Sequence, residues 1–312
     1  TTTRPAAPRK LMLTVQYRMH PEIRAFASAR FYGGKLSDAS RLLRSAGAAS
    51  YDAAPGLAPL VLFDLGSPSG ASGEERVGTS FRSAREARFV ADAVRTLLAW
   101  CSAGTHAPTS LEDTTEEEDG GASVEATAIP PPPHKHARCT VRALPHCAIL
   151  SPYRPQRAML SACLRDAGLT IADRTDRDEC GDAHARGAAR ASHGSIEIST
   201  VDGFQGREAD VVFLSTVRSS VSGGIGFVKD ARRMNVALTR GRTVVAVVGD
   251  AATLARDSAD WAAFVAHSDA KGRRVRVPPG GAFADALRAG FCDPVAAPPR
   301  AALAPASHLD GA

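Results

Sequence analysis

Short runs of apolar residues alternate with amphipathic segments along most of this 312-residue chain. Runs with the composition of buried strands occupy residues 60–65, 147–150, 196–201, 211–217 and 243–248. Residues 83–101 instead repeat apolar side chains every three to four positions, which predicts an amphipathic helix. Continuous β-branched runs are typical of strands that are buried on both faces of a parallel sheet. The pattern therefore predicts an α/β fold with a mainly parallel sheet.

The remaining elements follow from the same patterning. Residues 11–15 form a strand-like run, and Pro21 suits the first turn of the helix that follows. Further helices are predicted through Met159 and Leu164 to Gly168, over residues 229–242 and over residues 251–266. These helices supply the connections that parallel strands require.

Composition divides the chain into one domain with flexible additions. Residues 1–10 are rich in Pro, Ala and Arg and suit a linker, and residues 11–270 form the predicted domain. Segments at about 102–138 and 173–193 are too charged or too rich in Gly, Ala and Pro to bury a core, which predicts two disordered insertions. The acidic first insertion suits a regulatory segment or, as we favour, a tolerated surface insertion. Residues 271–312 are predicted to be a flexible tail.

The charge balance favours a polyanionic partner. Lys and Arg outnumber Asp and Glu by 38 to 33, and the sequence pI is about 9.0. Residues 1–50 hold nine basic and two acidic side chains, whereas residues 101–125 hold seven acidic side chains and no Lys or Arg. Outside that acidic segment the chain is strongly basic, which suits nucleic acid. A basic face that is only solvated is the alternative.

Cysteine usage and hydropathy argue for an intracellular protein, in the nucleus or the cytoplasm. The six cysteines contain no Cys-x-x-Cys pair and show no ligand spacing with the nine histidines, so neither disulfides nor a metal site are predicted. No apolar run approaches the roughly 20 residues of a membrane span. The sequence begins with Thr1 rather than Met, so we expect that the natural amino terminus is missing or processed.

Polar residues concentrate at predicted strand ends. The loop after residues 196–201 combines Thr, Asp, Gln, Arg and Glu, and ligands bind at the carboxyl edge of open α/β sheets. We therefore predict a site there, with a solvated connection as the alternative, and expect all the polar turns at this one edge. At another junction, Arg18 could bind a phosphate and Tyr17 could stack on a base, or Arg18 could simply hold its own loop.

Four segments together resemble known helicase motifs. They are residues 16–21 (Gln-Tyr-Arg-Met-His-Pro), 151–156 (Ser-Pro-Tyr-Arg-Pro-Gln), 200–208 (Thr-Val-Asp-Gly-Phe-Gln-Gly-Arg-Glu) and 235–240 (Asn-Val-Ala-Leu-Thr-Arg). In this order they resemble the second RecA-like domain of superfamily 1 helicases, in the branch that contains the nonsense-mediated-decay RNA helicase and senataxin. The resemblance covers residues 11–267 without the insertions. It implies a RecA-like fold of the P-loop NTPase type, with helices on both faces of the sheet.

The resemblance also implies roles in nucleotide chemistry. Tyr17 would stack near the nucleotide base, Arg18 would reach the γ-phosphate, and Arg240 would be the arginine finger. Phosphoryl transfer is accelerated mainly by positioning and charge stabilisation, which guanidinium groups supply. Glu208 would accept hydrogen bonds from the ribose hydroxyls. Gln205 and Gly206 would line the same cleft.

A second group of residues is implied to bind the single strand. Ser151, Tyr153, Gln156 and Thr200 would face it, since hydroxyl and amide groups hold phosphates without reading the sequence. Asp202 is a further candidate, although it could equally brace its own loop. His20 is expected to order its own turn rather than to act as an acid or base. The remaining arginines nearby have structural explanations and receive no catalytic role, namely Arg207, Arg232, Arg233 and Arg242.

The chain lacks two parts of a whole helicase. It contains no Gly-x-x-x-x-Gly-Lys-[Ser/Thr] phosphate loop, and its Asp178-Glu179 pair falls in a charged insertion rather than at a strand end. We therefore expect ATP to bind with an N-terminal RecA-like domain of the same gene product, which would carry the Mg²⁺ ligands. A smaller departure is Gly241, where the family usually has Ala, and which we expect to loosen a helix end slightly.

Two functions follow from these observations. The first is an ATP-dependent RNA or DNA helicase, of which this chain is the second motor domain and is inactive alone. The second is a non-catalytic module that binds nucleic acid or a protein through the same basic edge. No base-reading feature distinguishes RNA from DNA.

Overall fold

A computed structural model of the chain describes residues 12–40, 42, 57–66, 73–103, 144–172, 195–220 and 224–290. The predicted linker at residues 1–10 lies outside these ranges. So do the predicted insertions at 102–138 and 173–193, except that a helix continues to Ala103.

The described residues contain ten short strands. They are β1 (Val15–Gln16), β2 (Ser37–Asp38), β3 (Leu60–Asp64), β4 (Glu75–Val77), β5 (Ser80–Arg82), β6 (Cys147–Leu150), β7 (Ile196–Ser199), β8 (Ala209–Ser215), β9 (Gly241–Gly249) and β10 (Arg274–Arg276). Two 3₁₀ turns, Asp202–Phe204 and Gly226–Lys229, lie in the connections that flank β8.

Seven α-helices are resolved in the same ranges. They are α1 (Pro21–Phe31), α2 (Ala84–Ala103), α3 (Arg154–Asp166), α4 (Ala231–Leu238), α5 (Ala251–Asp257), α6 (Ala259–Ala270) and α7 (Phe283–Gly290).

Six strands form one parallel sheet in the order β10-β3-β9-β8-β6-β7. Alternate residues of each strand point to opposite faces. Val61 and Phe63 of β3 join a core with α2, α3 and α7, whereas Leu60 and Leu62 join a second core with α1, α4, α5 and α6. The predicted α/β fold with a mainly parallel sheet is confirmed, and it is RecA-like, with helices on both faces. Burial on both faces explains the continuous apolar runs.

The strand predicted at residues 11–15 is largely wrong. Only Val15 and Gln16 form a strand, and they pair with β2 outside the main sheet. Leu13 is 89% exposed and Met12 is 45% exposed. The run is apolar, but no layer of the fold lies against it, so composition alone was misleading here.

The helix predicted over residues 251–266 is two helices. Ser258 adopts an extended backbone conformation (φ −147°, ψ 126°) and its side chain accepts a hydrogen bond from the Trp261 amide. Asp250 caps the first helix in the same way, through the Thr253 amide. A serine between two apolar turns therefore acts as a second N-cap and separates the helices.

The tail predicted at residues 271–312 is wrong as far as Gly290, and residues 291–312 lie outside the described ranges. Strand β10 extends the sheet beside β3, and Phe283 and Leu287 of α7 are buried in the core. Arg274 donates two hydrogen bonds to Asp64, of 3.0 and 2.7 Å. The high Pro, Ala and Gly content of this segment hid a strand and a helix that depend on these distant partners.

Gly241 begins β9 rather than ending a helix, because α4 stops at Leu238. A Cβ at Gly241 would lie 2.5 Å from Val245 Cγ2 and 2.6 Å from the Val244 carbonyl oxygen. The pairing of β8 with β9 also shifts register here, between Ala209 and Val211. The expectation of a harmless loosening is therefore wrong, since the close approach of the backbone requires glycine.

Replacing Gly241 with alanine should destabilise the chain by about 2 kcal/mol, because the backbone carbonyl of Val244 must shift to admit the methyl group. Urea unfolding followed by circular dichroism measures the change. Gly34→Ala is the control, because a Cβ at Gly34 meets nothing within 4 Å and its cost is limited to the positive φ of 75°. Equal stability of Gly241→Ala and the unsubstituted chain would contradict this explanation.

Candidate functional site

The predicted site residues separate onto two edges of the sheet. Ser151 and Thr200 follow β6 and β7 at the carboxyl edge, whereas Glu208 and Arg240 precede β8 and β9 at the amino edge. The expectation that all polar turns share one edge is therefore wrong. The connection at 200–208 runs back along the sheet through a 3₁₀ turn, which is anchored by the buried ring of Phe204.

Three arginines and two carboxylates form what we call the amino-edge cluster, which consists of Arg18, Glu208, Asp210, Arg240 and Arg242. Arg18 Nε donates to Glu208 Oε2 at 2.6 Å, and Arg242 Nε donates to Glu208 Oε1 at 3.0 Å. Arg242 also pairs with Asp210 at 3.3 Å. The cluster thus collects residues that are far apart in sequence around one carboxylate, and its cations outnumber its anions.

The backbone holds Arg18 beside this carboxylate. The His20 amide donates to the Arg242 carbonyl at 2.7 Å, which ties the segment after β1 to the start of β9. Arg18 NH1 donates to the Thr239 carbonyl at 3.1 Å. His20 itself accepts a hydrogen bond from the Glu22 amide and caps α1, so the prediction that it orders its own turn is confirmed.

Glu208 is ionised under ordinary conditions. Partial burial opposes its ionisation, but the hydrogen bonds and charges of Arg18 and Arg242 outweigh burial and hold the pKa of Glu208 below its ordinary value. Its side chain is 35% exposed. The carboxylate is therefore accessible, acceptor-only and already engaged by two guanidinium groups.

Arg240 differs from its neighbours because its guanidinium forms no salt bridge among the described residues, although the negative charge of Glu208 acts on it from a distance. Its guanidinium donates to the Val236 carbonyl at 2.9 Å, to the Arg207 carbonyl at 3.3 Å and to the Thr239 hydroxyl at 3.4 Å. Burial and the nearby charge of Arg18 lower the pKa of Arg240 from its ordinary value. A half-buried cation that is held only by neutral oxygens is well suited to meet an incoming anion.

The remaining nucleotide candidates lie on exposed turns. The Tyr17 side chain, next to Arg18, is 59% exposed. Gln205 and Gly206 are exposed, and Gly206 has a φ of +83° with open space where a side chain would begin. They lead into Arg207, whose carbonyl accepts from Arg240. Their roles remain predictions, and their positions are compatible with them.

Two of the other arginines brace loops. Arg207 pairs with Glu197 and lies 4.4 Å from the centroid of the Phe204 ring. Arg233 pairs with Asp202 at 2.9 Å, which favours a bracing role for Asp202 over direct contact with nucleic acid. The structural interpretation of Arg207 and Arg233 is confirmed.

Three residues that were predicted to face the single strand are buried, so the prediction is wrong for them in this structure. Ser151 and Gln156 are fully buried and Tyr153 is 4% exposed. The Gln156 amide bonds the backbone of Ser83 in both directions, at 2.7 and 3.1 Å, and donates to Ser215 Oγ at 3.0 Å. Gln156 lies in line with the apolar residues of α3 and ties that helix to the sheet.

Thr200 keeps its position as a candidate at the carboxyl edge. It is partly exposed at the end of β7, and its hydroxyl accepts a hydrogen bond from the Gly203 amide at 2.9 Å. The hydroxyl proton stays available for another acceptor.

Sequence reasoning missed Glu86, which is buried beneath the carboxyl edge. Its carboxyl group accepts from Ser215 Oγ at 2.7 Å and from the Val217 amide at 3.0 Å. Burial raises the pKa of Glu86 to about 7. Val217 has a φ of +70°, which is strained for a β-branched residue. The available signal was the position of Glu86 four residues before Val90, on the apolar side of the predicted helix.

Among the described residues, no three His, Cys, Asp or Glu side chains converge in a way that could hold a metal ion. None of the helices in those ranges combines the length and the hydropathy needed to cross a membrane.

Comparison with known proteins identifies a family match over most of the chain. The family described as AAA domain matches residues 3–107 and 122–252. The probable helicase MAGATAMA 3 of Arabidopsis thaliana is 30% identical over 267 residues, covering 85% of this chain and 25% of that protein. The ATP-dependent helicase upf1 of Schizosaccharomyces pombe is 30% identical over 263 residues, covering 84% of this chain and 22% of that protein.

A third relative extends the pattern. Regulator of nonsense transcripts 1 of Dictyostelium discoideum is 28% identical over 259 residues, covering 82% of this chain and 14% of that protein. The chain therefore spans a quarter or less of the length of these three relatives.

Proposed function

Because the chain belongs to the AAA domain family, as the C-terminal region of a superfamily 1 helicase of the nonsense-transcript-regulator and senataxin type, we propose that it is the second motor domain of an ATP-dependent helicase. Its partners would be single-stranded RNA or DNA and a phosphate-loop RecA-like domain. The amino-edge cluster would face the nucleotide, and the carboxyl edge would face the strand.

The observation that carries this proposal is the guanidinium of Arg240, which forms no salt bridge among the described residues and lies near Arg18. Two guanidinium groups close together repel each other, and a polyphosphate between them relieves that repulsion. Negative charge on the transferred phosphoryl group is what a motor enzyme must stabilise. Arg240 and Arg18 supply fixed donors for that charge at neutral pH, because guanidinium groups do not deprotonate there.

The residues of the amino edge fit ATP as substrate. The exposed ring of Tyr17 offers a stacking surface for the base, and Glu208 offers acceptor oxygens for ribose hydroxyls. In the structure Arg18 occupies one of those oxygens. When Arg18 turns toward a phosphate, it leaves Glu208 Oε2 for a hydroxyl, so one side chain would couple recognition of the phosphate and the sugar.

The amino edge suits Mg²⁺ less than it suits ATP, because its carboxylates are paired with arginines. Among the described residues, no set of three acidic or imidazole groups converges. In this proposal the Mg²⁺ ligands belong to the phosphate-loop domain. The contribution of this chain is the arginine charge, the ribose acceptor and part of the strand contact.

Replacing Glu208 with alanine should abolish the preference for ATP over 2′,3′-dideoxy-ATP. A hydrogen bond from a neutral hydroxyl to a carboxylate contributes about 1.5 kcal/mol or more, so the intact site should prefer ATP roughly tenfold. Competitive titration with a fluorescent nucleotide, on a protein that joins this chain to a phosphate-loop domain, measures both affinities.

Thr200→Val is the matched control for that experiment, because it should weaken single-strand binding and leave nucleotide preference intact. A Glu208→Ala variant that still distinguishes the two nucleotides tenfold would remove Glu208 from the ribose site. Fluorescence anisotropy of a labelled oligonucleotide supplies the strand affinity for both variants.

A non-catalytic binding module is the second candidate, because these 312 residues contain no phosphate-loop motif. Both candidates give the chain by itself weak, salt-sensitive binding of single strands and no turnover of ATP. They differ when a phosphate-loop domain is joined to it. Strand-stimulated hydrolysis then supports the motor, and its absence supports the module.

A further inference from the structure

The ring of Phe227 is an exposed aromatic surface at the carboxyl edge. It is 62% exposed, although Ile225 just before its turn and Val228 within the turn are only 1% and 7% exposed. Burial would remove this ring from water, yet the 3₁₀ turn that carries it directs it outward. An exposed aromatic on an anchored backbone is typical of a surface that binds something.

Two side-chain hydrogen bonds and a glycine turn fix the backbone that presents this ring. Trp261 Nε1 donates to the Val228 carbonyl at 2.8 Å, and the Tyr153 hydroxyl donates to the Ile225 carbonyl at 3.3 Å. Gly226 has a φ of +54°, and a Cβ there would lie 3.3 Å from both the Tyr153 hydroxyl and Arg218 NH1. The turn is therefore held in place from both sides before any ligand arrives, which lowers the entropic cost of binding.

A shallow apolar depression, open to solvent, lies against the ring. Its walls are mainly apolar, and they include Pro152, just beyond the carboxyl end of β6, and Leu214, near the carboxyl end of β8. Val201, next to Thr200 in the sequence, also lines it. The depression is thus at the edge that carries the strand-binding candidate, and a flat apolar group would contact its walls.

The charges around the depression favour an anionic ligand. The Arg233 guanidinium lies 5.5 Å from the centroid of the Phe227 ring and lines the depression, while Lys229 and Arg232 are exposed nearby in sequence. Asp202 and Asp230 offset part of this charge. An aromatic ring on a segment with exposed basic side chains combines the two elements of single-strand binding, namely stacking and phosphate attraction.

We propose that one base of the single strand stacks on the exposed Phe227 ring, beside the apolar depression. This inference rests on the proposed strand-binding function and assigns it a specific contact. Stacking on an aromatic face accepts every base, so the contact would add affinity without sequence preference. Arg233, which Asp202 holds beside the ring, would keep its structural role there.

Replacing Phe227 with alanine should weaken binding of the chain to a fluorescein-labelled dT₁₂ oligonucleotide roughly tenfold, as expected for the loss of one stacked base. Fluorescence anisotropy measures the affinity. The dependence of affinity on salt concentration should be unchanged, because no phosphate contact is removed. Phe227→Trp should bind at least as well as the unsubstituted chain.

An oligonucleotide of the same length without bases separates stacking from folding. The unsubstituted chain should bind it more weakly than dT₁₂, and Phe227→Ala should cause no further loss. Val77→Ala is the control for loss of an exposed apolar side chain, since Val77 is 36% exposed in β4. If circular dichroism shows that Phe227→Ala is unfolded, the affinities of Phe227→Leu and Phe227→Trp for dT₁₂ are compared instead. Weaker binding by Phe227→Leu is then the expected result.

The outcomes distinguish the inference from the function on which it rests. If Phe227→Ala binds dT₁₂ as tightly as the unsubstituted chain does, the inference is overturned and the strand-binding function is not. Equal affinities of Phe227→Leu and Phe227→Trp have the same meaning if Phe227→Ala is unfolded. The exposed Phe227 ring would then suit another occupant, such as an apolar protein segment. An equal loss on the oligonucleotide without bases also overturns it, because the effect would then not involve stacking. If the unsubstituted chain binds neither oligonucleotide, the strand-binding function fails and the inference fails with it.

Discussion

Replacing Arg240 with alanine should lower strand-stimulated ATP hydrolysis roughly 10³-fold in a protein that joins this chain to a phosphate-loop domain. The charge of Arg240 is paired with no carboxylate in the described residues, so in the proposed complex it is available to the γ-phosphoryl group. Alanine removes all the guanidinium donors that Arg240 would offer to the negative charge of the transition state. A steady-state assay of phosphate release measures the turnover.

Two controls separate catalysis from folding for Arg240. Arg95→Ala removes an arginine from the exposed surface of α2, where its side chain is 56% exposed, and should leave turnover unchanged. Arg240→Lys keeps the charge but loses the planar set of donors, so it should recover only part of the rate. Turnover of Arg240→Ala within a few-fold of the unsubstituted protein would remove Arg240 from the proposed mechanism.

Replacing Glu86 with glutamine should make the chain more stable at pH 8 than at pH 5, relative to the unsubstituted chain. The pKa of Glu86 is about 7 in the folded chain and 4.5 as its ordinary value. Between pH 4.5 and pH 7, the Glu86 carboxyl group is mainly protonated in the folded state and mainly ionised in the unfolded state. The contribution of Glu86 is therefore favourable below about pH 4.5 and is lost as pH rises through 7.

The expected size of this effect is roughly 3 kcal/mol, which corresponds to the difference between the two pKa values. Urea unfolding at pH 5 and pH 8, compared between Glu86→Gln and the unsubstituted chain, cancels the contributions of other groups. Glu75→Gln, on exposed β4, should follow the decline of the unsubstituted chain. Parallel pH profiles for Glu86→Gln and the unsubstituted chain would contradict the assigned burial of Glu86.

Glu86 has a consequence for the carboxyl edge as well as for stability. Its carboxyl group binds the Val217 amide, and Val217 is held at a φ of +70°. A strained backbone of this kind costs about 1 to 3 kcal/mol and persists only when neighbouring contacts hold it. Arg218, next along the chain, is braced by Glu74 and by the ring of Phe81, 4.0 Å from its guanidinium carbon. The turn is thus maintained by polar contacts together with the burial of Val217 in the core.

The connection at 200–208 has an unusual position in the fold. It begins with Thr200 at the carboxyl edge and ends with Glu208 at the amino edge. Under the proposed function, a single segment would therefore adjoin both the strand and the nucleotide. Phe204, buried at its centre, would carry displacements at one end to the other.

Much of the fold was predictable from the sequence, because burial of apolar side chains is largely a local property of each segment. Strands β3, β6 and β9 lie between two layers of helices, so most of their positions are apolar and the run itself marks the strand. The motif resemblance likewise selected Arg18, Glu208 and Arg240, which the structure brings to one edge.

Polar partners were not predictable in the same way, because each depends on a residue that is remote in sequence. Gln156 is a polar residue of a type that usually lies at the surface. It is nevertheless fully buried and forms hydrogen bonds with Ser83, which is 73 positions away. Residues 271–290 have the composition of a tail, yet Arg274 finds Asp64 across 210 positions.

The sequence by itself thus determined the parallel α/β layers, the order of the motifs and the arginines at their ends, since apolar periodicity and motif spacing are encoded locally. Only the tertiary structure decided which polar side chains face solvent, which edge each motif occupies, and that Arg240 forms no salt bridge among the described residues. These features arise from pairings between distant segments, and the free energy of a polar group depends on the partner it meets once the chain is folded.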